Sequence, residues 1–210
     1  MRGWLLSLVF AVSALGQTGG GWKNILPPPS LKGWTRIAIP PTQPLGAKQQ
    51  WSVDKKNKTL VCAGDQGHDW LRYDQEVTDF VFHAEFRFTK LADESKARYN
   101  SGIFVRNYSD GSIWHQAQIG SSSGGYFFGV TRVKGENKRL NFQDKTKPSP
   151  VKPAGEWNTI EVRAQGNRMT LWVNGGVASE WNDLEVTKGY LGLEAEGYHI
   201  VFRNLKIKKL

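Results

Sequence analysis

In the nine residues Phe80–Phe88, Phe80, Phe82, Ala84, Phe86 and Phe88 alternate with Val81, His83, Glu85 and Arg87. A period of two puts these sets on opposite sides of a pleated strand, whereas a helix would scatter both around its circumference. The even-numbered set needs an apolar layer beneath it and the other tolerates water, so this segment predicts a half-buried strand of a sheet. Nine further runs carry β-branched or aromatic residues between turn signals: 50–53, 59–63, 101–107, 113–119, 126–133, 159–165, 168–173, 190–195 and 199–208. Helical periodicity is almost absent, with at most a turn near Trp181–Leu184. Ten short strands predict an all-β chain, and two packed antiparallel sheets satisfy the alternation.

The turns support antiparallel pairing. Gln165-Gly166-Asn167 and Val173-Asn174-Gly175-Gly176 join strand runs through residues that tolerate positive φ, as tight hairpins require. Residues 134–154, basic and proline-containing, form the longest stretch without a strand signal and read as a functional or mobile loop. Residues 17–31, with Pro27-Pro28-Pro29, read as a leader that docks or flaps.

A chain of 210 residues suits one well-filled core. Met1-Arg2, the apolar stretch Trp4–Leu15 and the small residues before Gln17 form a signal-peptide pattern over residues 1–16, leaving 17–210 as a single domain. The apolar run falls short of the roughly 20 residues of a bilayer span. A secreted or periplasmic protein without a membrane span is therefore expected. Cys62 is the sole cysteine, which excludes an intramolecular disulfide and a cysteine metal cluster. The net charge of +9 invites a nucleic-acid reading. Its basic clusters at 55–58, 134–152 and 206–209 are scattered, however, rather than gathered along one groove with interleaved aromatics, so no nucleic-acid partner is expected.

Six short motifs in fixed order carry a resemblance: Asp79–Arg87, Asn100–Arg106, Gln116-Ala117-Gln118-Ile119, Gly155-Glu156-Trp157-Asn158, Val173-Asn174-Gly175 and Phe202–Ile207. Over about Gly21 to Leu210 the chain resembles the 3-keto-disaccharide hydrolase domain family. The resemblance implies a concanavalin-like jelly-roll sandwich of the lectin and glucanase type, found in exported proteins that handle sugars. The chain departs from the family pattern at Gln116, where a glutamate is usual, and at Phe127-Phe128-Gly129, where many relatives have Leu-Tyr-Gly. Glu194 stands where a glutamine is common, and Glu196-Gly197 keeps the family's ending.

A sugar oxidised to a ketone at C3 has an acidic proton at C2. A site that cleaves its glycosidic bond needs a base near C2, a donor or cation facing the C3 oxygen, and an acid near the leaving group. Glu85, Arg106 and Glu196 are the catalytic candidates: Glu85 or Glu196 as proton acceptor, Arg106 or a divalent cation facing the enolate. Gln116 and Gln118 either orient sugar hydroxyls or complete the shell of that cation. Glu85 and Arg87 also fit a cross-strand ion pair, and Arg106 fits the partner of a carboxylate. His83 shares the polar face of Glu85, while His115 falls on the packed parity of Ile113, Ala117 and Ile119. Trp114 shares the parity of Gln116 and Gln118 and suits a sugar-stacking platform, which makes His83, Trp114, Gln116 and Gln118 the substrate-binding candidates. The expected partner is an oligosaccharide or glycoside. A sandwich that binds glycan without cutting it is the alternative, kept open by the amide at Gln116.

Overall fold

The computed structural model describes residues 21–210, so residues 1–16, expected from their sequence to be a signal peptide, lie outside the described residues. Fifteen strands follow one another: β1 Lys23–Asn24, β2 Trp34–Ala38, β3 Trp51–Asp54, β4 Thr59–Cys62, β5 Asp69–Val77, β6 Phe80–Phe88, β7 Gly102–Asn107, β8 Trp114–Gln118, β9 Phe127–Val133, β10 Glu136–Asn141, β11 Asn158–Gln165, β12 Arg168–Val173, β13 Gly176–Trp181, β14 Gly189–Ala195 and β15 Ile200–Lys209. They build two antiparallel sheets. The first runs β13-β12-β11-β6-β15-β4-β3, with β1 added to β15; the second runs β10-β9-β8-β7-β14-β5-β2.

The alternation of Phe80–Phe88 has the predicted effect. Phe80, Phe82, Ala84, Phe86 and Phe88 enter the core between the sheets, while His83, Glu85 and Arg87 sit half-buried on the outer face; Val81, on the same side, is also covered. From the second sheet the core receives Leu71, Ile103, Val105, Ala117, Phe127 and Leu193. Both predicted hairpins form, pairing Gln165 with Arg168 and Val173 with Gly176. In the second, Asn174 and Gly175 take φ of 51° and 86°, the left-handed pair that a two-residue turn requires. The leader docks: β1 pairs with β15, and Ile25 and Leu31 are buried.

Five strands lie outside the sequence expectation: β1, β2, β5, β10 and β13. The stretch 134–154 is not one irregular loop, since it holds β10 and a short 3-10 turn, Gln143–Lys145. Trp181 ends a strand rather than starting a helical turn.

Two polar clusters fasten the sheets together. Near one edge the buried Asp69 of β5 accepts from Arg36 Nε of β2 (2.8 Å), from Gln50 Nε2 (2.7 Å) and from Trp51 Nε1 of β3 in the opposite sheet (2.9 Å). Elsewhere the guanidinium of Arg106 on β7 donates to the carbonyls of Thr78 and Gly166 and to Asp79 Oδ1 (3.0 Å). Among the described residues no helix is long and apolar enough to cross a membrane.

Candidate functional site

The outer face of the second sheet is not uniformly solvated. Trp70 of β5, Glu194 of β14, Phe104 of β7 and Trp114, Gln116 and Gln118 of β8 alternate with core residues, so all project to that side. Together with the Ala38–Pro41 segment and Tyr108 they enclose a cavity of about 480 Å³, a size ordinary for a small-molecule site. Two glycines make room for its walls. A Cβ at Gly192 would lie 2.2 Å from Cε3 of Trp70, and one at Gly102 would lie 2.1 Å from Nε2 of Gln116, so neither position accepts a side chain without moving a cavity residue.

The polar floor is one run of hydrogen bonds. His68 Nε2 donates to Glu194 Oε1 (2.8 Å), and Gln116 Nε2 donates to Glu194 Oε2 (2.6 Å) and to Gln118 Oε1 (3.1 Å). Gln118 Nε2 donates to Asn100 Oδ1, and Asn100 Nδ2 donates to Glu196 Oε2 (2.5 Å). Glu194 is buried, and its backbone carbonyl accepts from Ser101 Oγ (2.8 Å). Burial and the neighbouring Glu196 charge push the Glu194 carboxyl above the usual carboxylate range, against the His68 and Gln116 hydrogen bonds. Burial opposes the charged form of His68, but the bond to Glu194 and the charges of Glu194 and Glu196 outweigh it and raise its pKa. Glu196 is half-buried, and Asn100 holds one of its oxygens.

The aromatic walls are braced edge-on. Trp70 meets Phe104 at 5.3 Å and 81°, and Trp114 meets Phe128 at 5.2 Å and 86°. Trp70 is buried and serves as wall. Trp114 is half-buried, with the Arg139 guanidinium 5.5 Å from its ring centroid.

Of the residues predicted from sequence, the structure brings together Glu196, Trp114, Gln116 and Gln118, and it separates Glu85, His83 and Arg106 from them. Glu85 and His83 lie on the outer face of the first sheet, across the core. There Arg203 Nε (2.7 Å) and Asn204 hold the Glu85 carboxylate. Burial raises its pKa, and those two partners outweigh it and bring the pKa below the usual range. His83 faces Glu161 (3.5 Å) and the edge of Trp22. Alternation identifies the polar side of β6 but not which sheet β6 joins, and that sheet turns its polar side away from the cavity. Arg106, fully buried, is engaged by Thr78, Gly166 and Asp79; its φ of 55° breaks the extended path of β7 and carries the side chain out of register with Phe104.

His68, Asn100 and Glu194 lie outside the sequence prediction. Glu194 and Glu196 have the same parity in Leu193-Glu194-Ala195-Glu196, a signal that could have paired them; His68 sits in the β4–β5 connection and carries no local signal. His115 is packed, as its parity predicts. Its Nδ1 donates to the Val105 carbonyl (2.9 Å), leaving Nε2 to accept from Thr131 Oγ1 (3.0 Å).

His68, Glu194 and Glu196 also place one ligand atom each within 4.8 Å of one another. One imidazole nitrogen with two carboxylates, crowded enough for one carboxylate to raise the pKa of the other, is a donor set that fits a divalent cation.

The 3-keto-alpha-glucoside-1,2-lyase-like domain family matches residues 21–208. The chain belongs to this family. No curated protein matches it in sequence. Among solved structures it is similar to a Parabacteroides distasonis protein assigned as a glycosyl hydrolase (18% identity, TM-score 0.58, covering 91% of this chain and 100% of that one). It is also similar to the κ-carrageenase of Pseudoalteromonas carrageenovora (10% identity, TM-score 0.59, covering 96% and 99%) and to the carbohydrate binding module CBM66 of Bacillus subtilis (13% identity, TM-score 0.55, covering 82% and 93%). At these identities the likeness is one of fold: a concanavalin-like sandwich, shared by glycosyl hydrolases and binding modules alike.

Proposed function

We propose that this family member is an exported carbohydrate-active protein that cleaves the glycosidic bond of 3-keto-glycosides by abstraction of the proton at C2. The observation that carries this reading is the pairing, at one end of an aromatic-walled cavity, of a half-buried carboxylate, Glu196, with a hydrogen-bonded run from His68 through the buried Glu194, Gln116 and Gln118 to Asn100.

In this reading Trp114 stacks on the pyranose and the amides of Gln116, Gln118 and Asn100 orient its hydroxyls. Glu196 takes the C2 proton, with Asn100 fixing the direction of its carboxylate. The electrons left at C2 form the enolate of the C3 ketone and then the C1–C2 double bond as the C1–O bond breaks; the departing oxygen takes up a proton from water, and Glu196 returns the one it accepted to water. The products are an unsaturated keto sugar and an alcohol, and water then adds to the former. Glu194, engaged on both oxygens, positions His68 and Gln116. A divalent cation held by His68, Glu194 and Glu196 would replace the His68–Glu194 hydrogen bond, with the His68 nitrogen deprotonated, and would supply Lewis-acid polarisation of the ketone.

The test is incubation with a panel of 3-keto-disaccharides, with and without a chelator, with products followed by mass spectrometry. Turnover is expected, and Glu196→Gln should lower it by about 100-fold or more. The control Glu85→Gln should leave it unchanged, because Glu85 lies across the core. Absence of turnover with every metal, together with binding of unoxidised sugars, would establish instead the binding module whose fold the chain shares. The export part of the reading rests on the pattern of residues 1–16.

A further inference from the structure

A second cavity, of about 320 Å³, shares Asn100, Gln118 and Tyr126 with the first. These shared residues are a seam, at the end of the first cavity where Asn100 holds Glu196. Beyond it the walls change character. Arg98, Ser121, Ser123 and Gln143 contribute a guanidinium, two hydroxyls and an amide, and among the described residues no carboxylate lines this cavity.

Arg98 is held by its backbone, whose N–H donates to Tyr198 Oη (2.7 Å), and by a bond from Nη1 to the Ala97 carbonyl (2.8 Å). Among the described residues its guanidinium is in no ion pair with a carboxylate. The seam residue Tyr126 is half-buried and braced 5.9 Å from Phe128. Its phenol, like any phenol, is protonated and able to donate at neutral pH, and burial only raises its pKa further.

The joined cavities thus carry opposite charge at their two functional parts: carboxylates in the first, a guanidinium with neutral donors in the second. A ligand with an anionic group is repelled from Glu194 and Glu196 and attracted toward Arg98, which fixes its direction across the seam. We propose that the second cavity is the subsite for the departing unit of the glycoside, and that it selects a unit bearing a carboxylate or sulfate group through Arg98. The inference rests on the sugar-cleaving reading of the first cavity and adds to it the chemical class of the leaving group. Arg139, over Trp114 at the opposite part of the first cavity, is the competing cation.

Titration calorimetry of the full chain with unoxidised sugars separates the two claims. Methyl α-glucoside reads the first cavity alone, maltose reads both, and the glucosyl-glucuronic acid of the same linkage adds the anion; a sulfated disaccharide is a parallel arm. At low salt the acidic disaccharide should bind about tenfold more tightly than maltose, the scale of one charge-assisted hydrogen bond. The preference should shrink as salt is raised, and in Arg98→Gln it should fall to within about twofold. Equal binding of acidic and neutral disaccharides overturns the inference while leaving the first cavity's reading intact. So does a preference that survives Arg98→Gln but disappears in Arg139→Gln. If none of these sugars binds, the inference is overturned alone where the 3-keto-disaccharide panel still shows turnover, and falls together with the sugar reading where it does not.

Discussion

Gln116 Nε2 lies 2.6 Å from an oxygen of the buried Glu194, so the amide is the neutral donor that makes that carboxylate tolerable. Exchanging it for the glutamate usual in the family would set two carboxylates against each other in a site that already holds Glu196. Like charges at this separation cannot both ionise without cost. Gln116→Glu is therefore expected to lose about 2–4 kcal/mol of stability at neutral pH, the scale of a buried uncompensated charge. Added divalent cation should recover part of the loss, and chemical denaturation with and without metal measures both. An unchanged denaturation midpoint would show that Glu194 is protonated in the native state. The chain's other departure, Phe128, falls on the same wall, one alternation step from Tyr126, so the cavity keeps a phenol although position 128 has none.

At the level of strands, β8 shows how one alternation serves two purposes. Trp114, Gln116 and Gln118 face the cavity, while His115 and Ala117 face the core, where His115 ties β8 to β7 and β9. Burial, with the charge of Arg106 adding to it, pushes the His115 imidazole down to about 4, against the opposing bond to the Val105 carbonyl. An unfolded histidine titrates near 6.5, so between these values the unfolded chain binds the extra proton and stability rises with pH. His115 thus contributes a loss of about 3 kcal/mol as pH falls from 6.5 to 4, an upper figure given how well the site is sealed. Urea unfolding at pH 7, 5.5 and 4.5 should show a steeper acid loss in the parent than in His115→Gln. Equal slopes would mean that the buried ring is protonated in place.

The same strand marks what was legible in the sequence. Parity placed Trp114, Gln116 and Gln118 on one face because alternation is a local property. The partner strands are not local, so nothing in Phe80–Phe88 revealed that Glu85 belongs to the far sheet, or that His68 and Asn100 border the strands that complete the polar floor. β5 was hidden by Arg72, Asp74, Gln75 and Glu76, which interrupt its apolar set. β10 was hidden because it is an edge strand exposed over most of its length, with no face requiring an apolar pattern.

For the whole molecule the question is what holds two sheets in the register that shapes the cavity. The apolar core is non-directional and would tolerate sliding; the two polar clusters would not. Arg106 joins β7 to the turns at Thr78–Asp79 and Gly166, and Asp69 joins β5 and β2 to Trp51 of the opposite sheet. The residue before Asp69 is His68, so the cluster that fixes the sheets also fixes one end of the site's hydrogen-bonded run. Asp69→Ala would strand the Arg36 guanidinium and the Trp51 indole N–H in a nearly dry site, where Arg36 is about 10% exposed. Removing one partner of such a pair is expected to cost about 3–5 kcal/mol. Because β2, β3 and β5 share the cluster, the loss should appear as a lower midpoint of a single transition. Cys62, buried at the same edge with its thiol pushed up to about 12, reports the event directly. Its reaction with a thiol reagent should coincide with global unfolding in the parent and become measurable well below the midpoint in Asp69→Ala if the edge opens alone. Coincidence of the two in the variant as well would show that the sandwich unfolds as one unit and that Asp69 serves the whole fold rather than its edge.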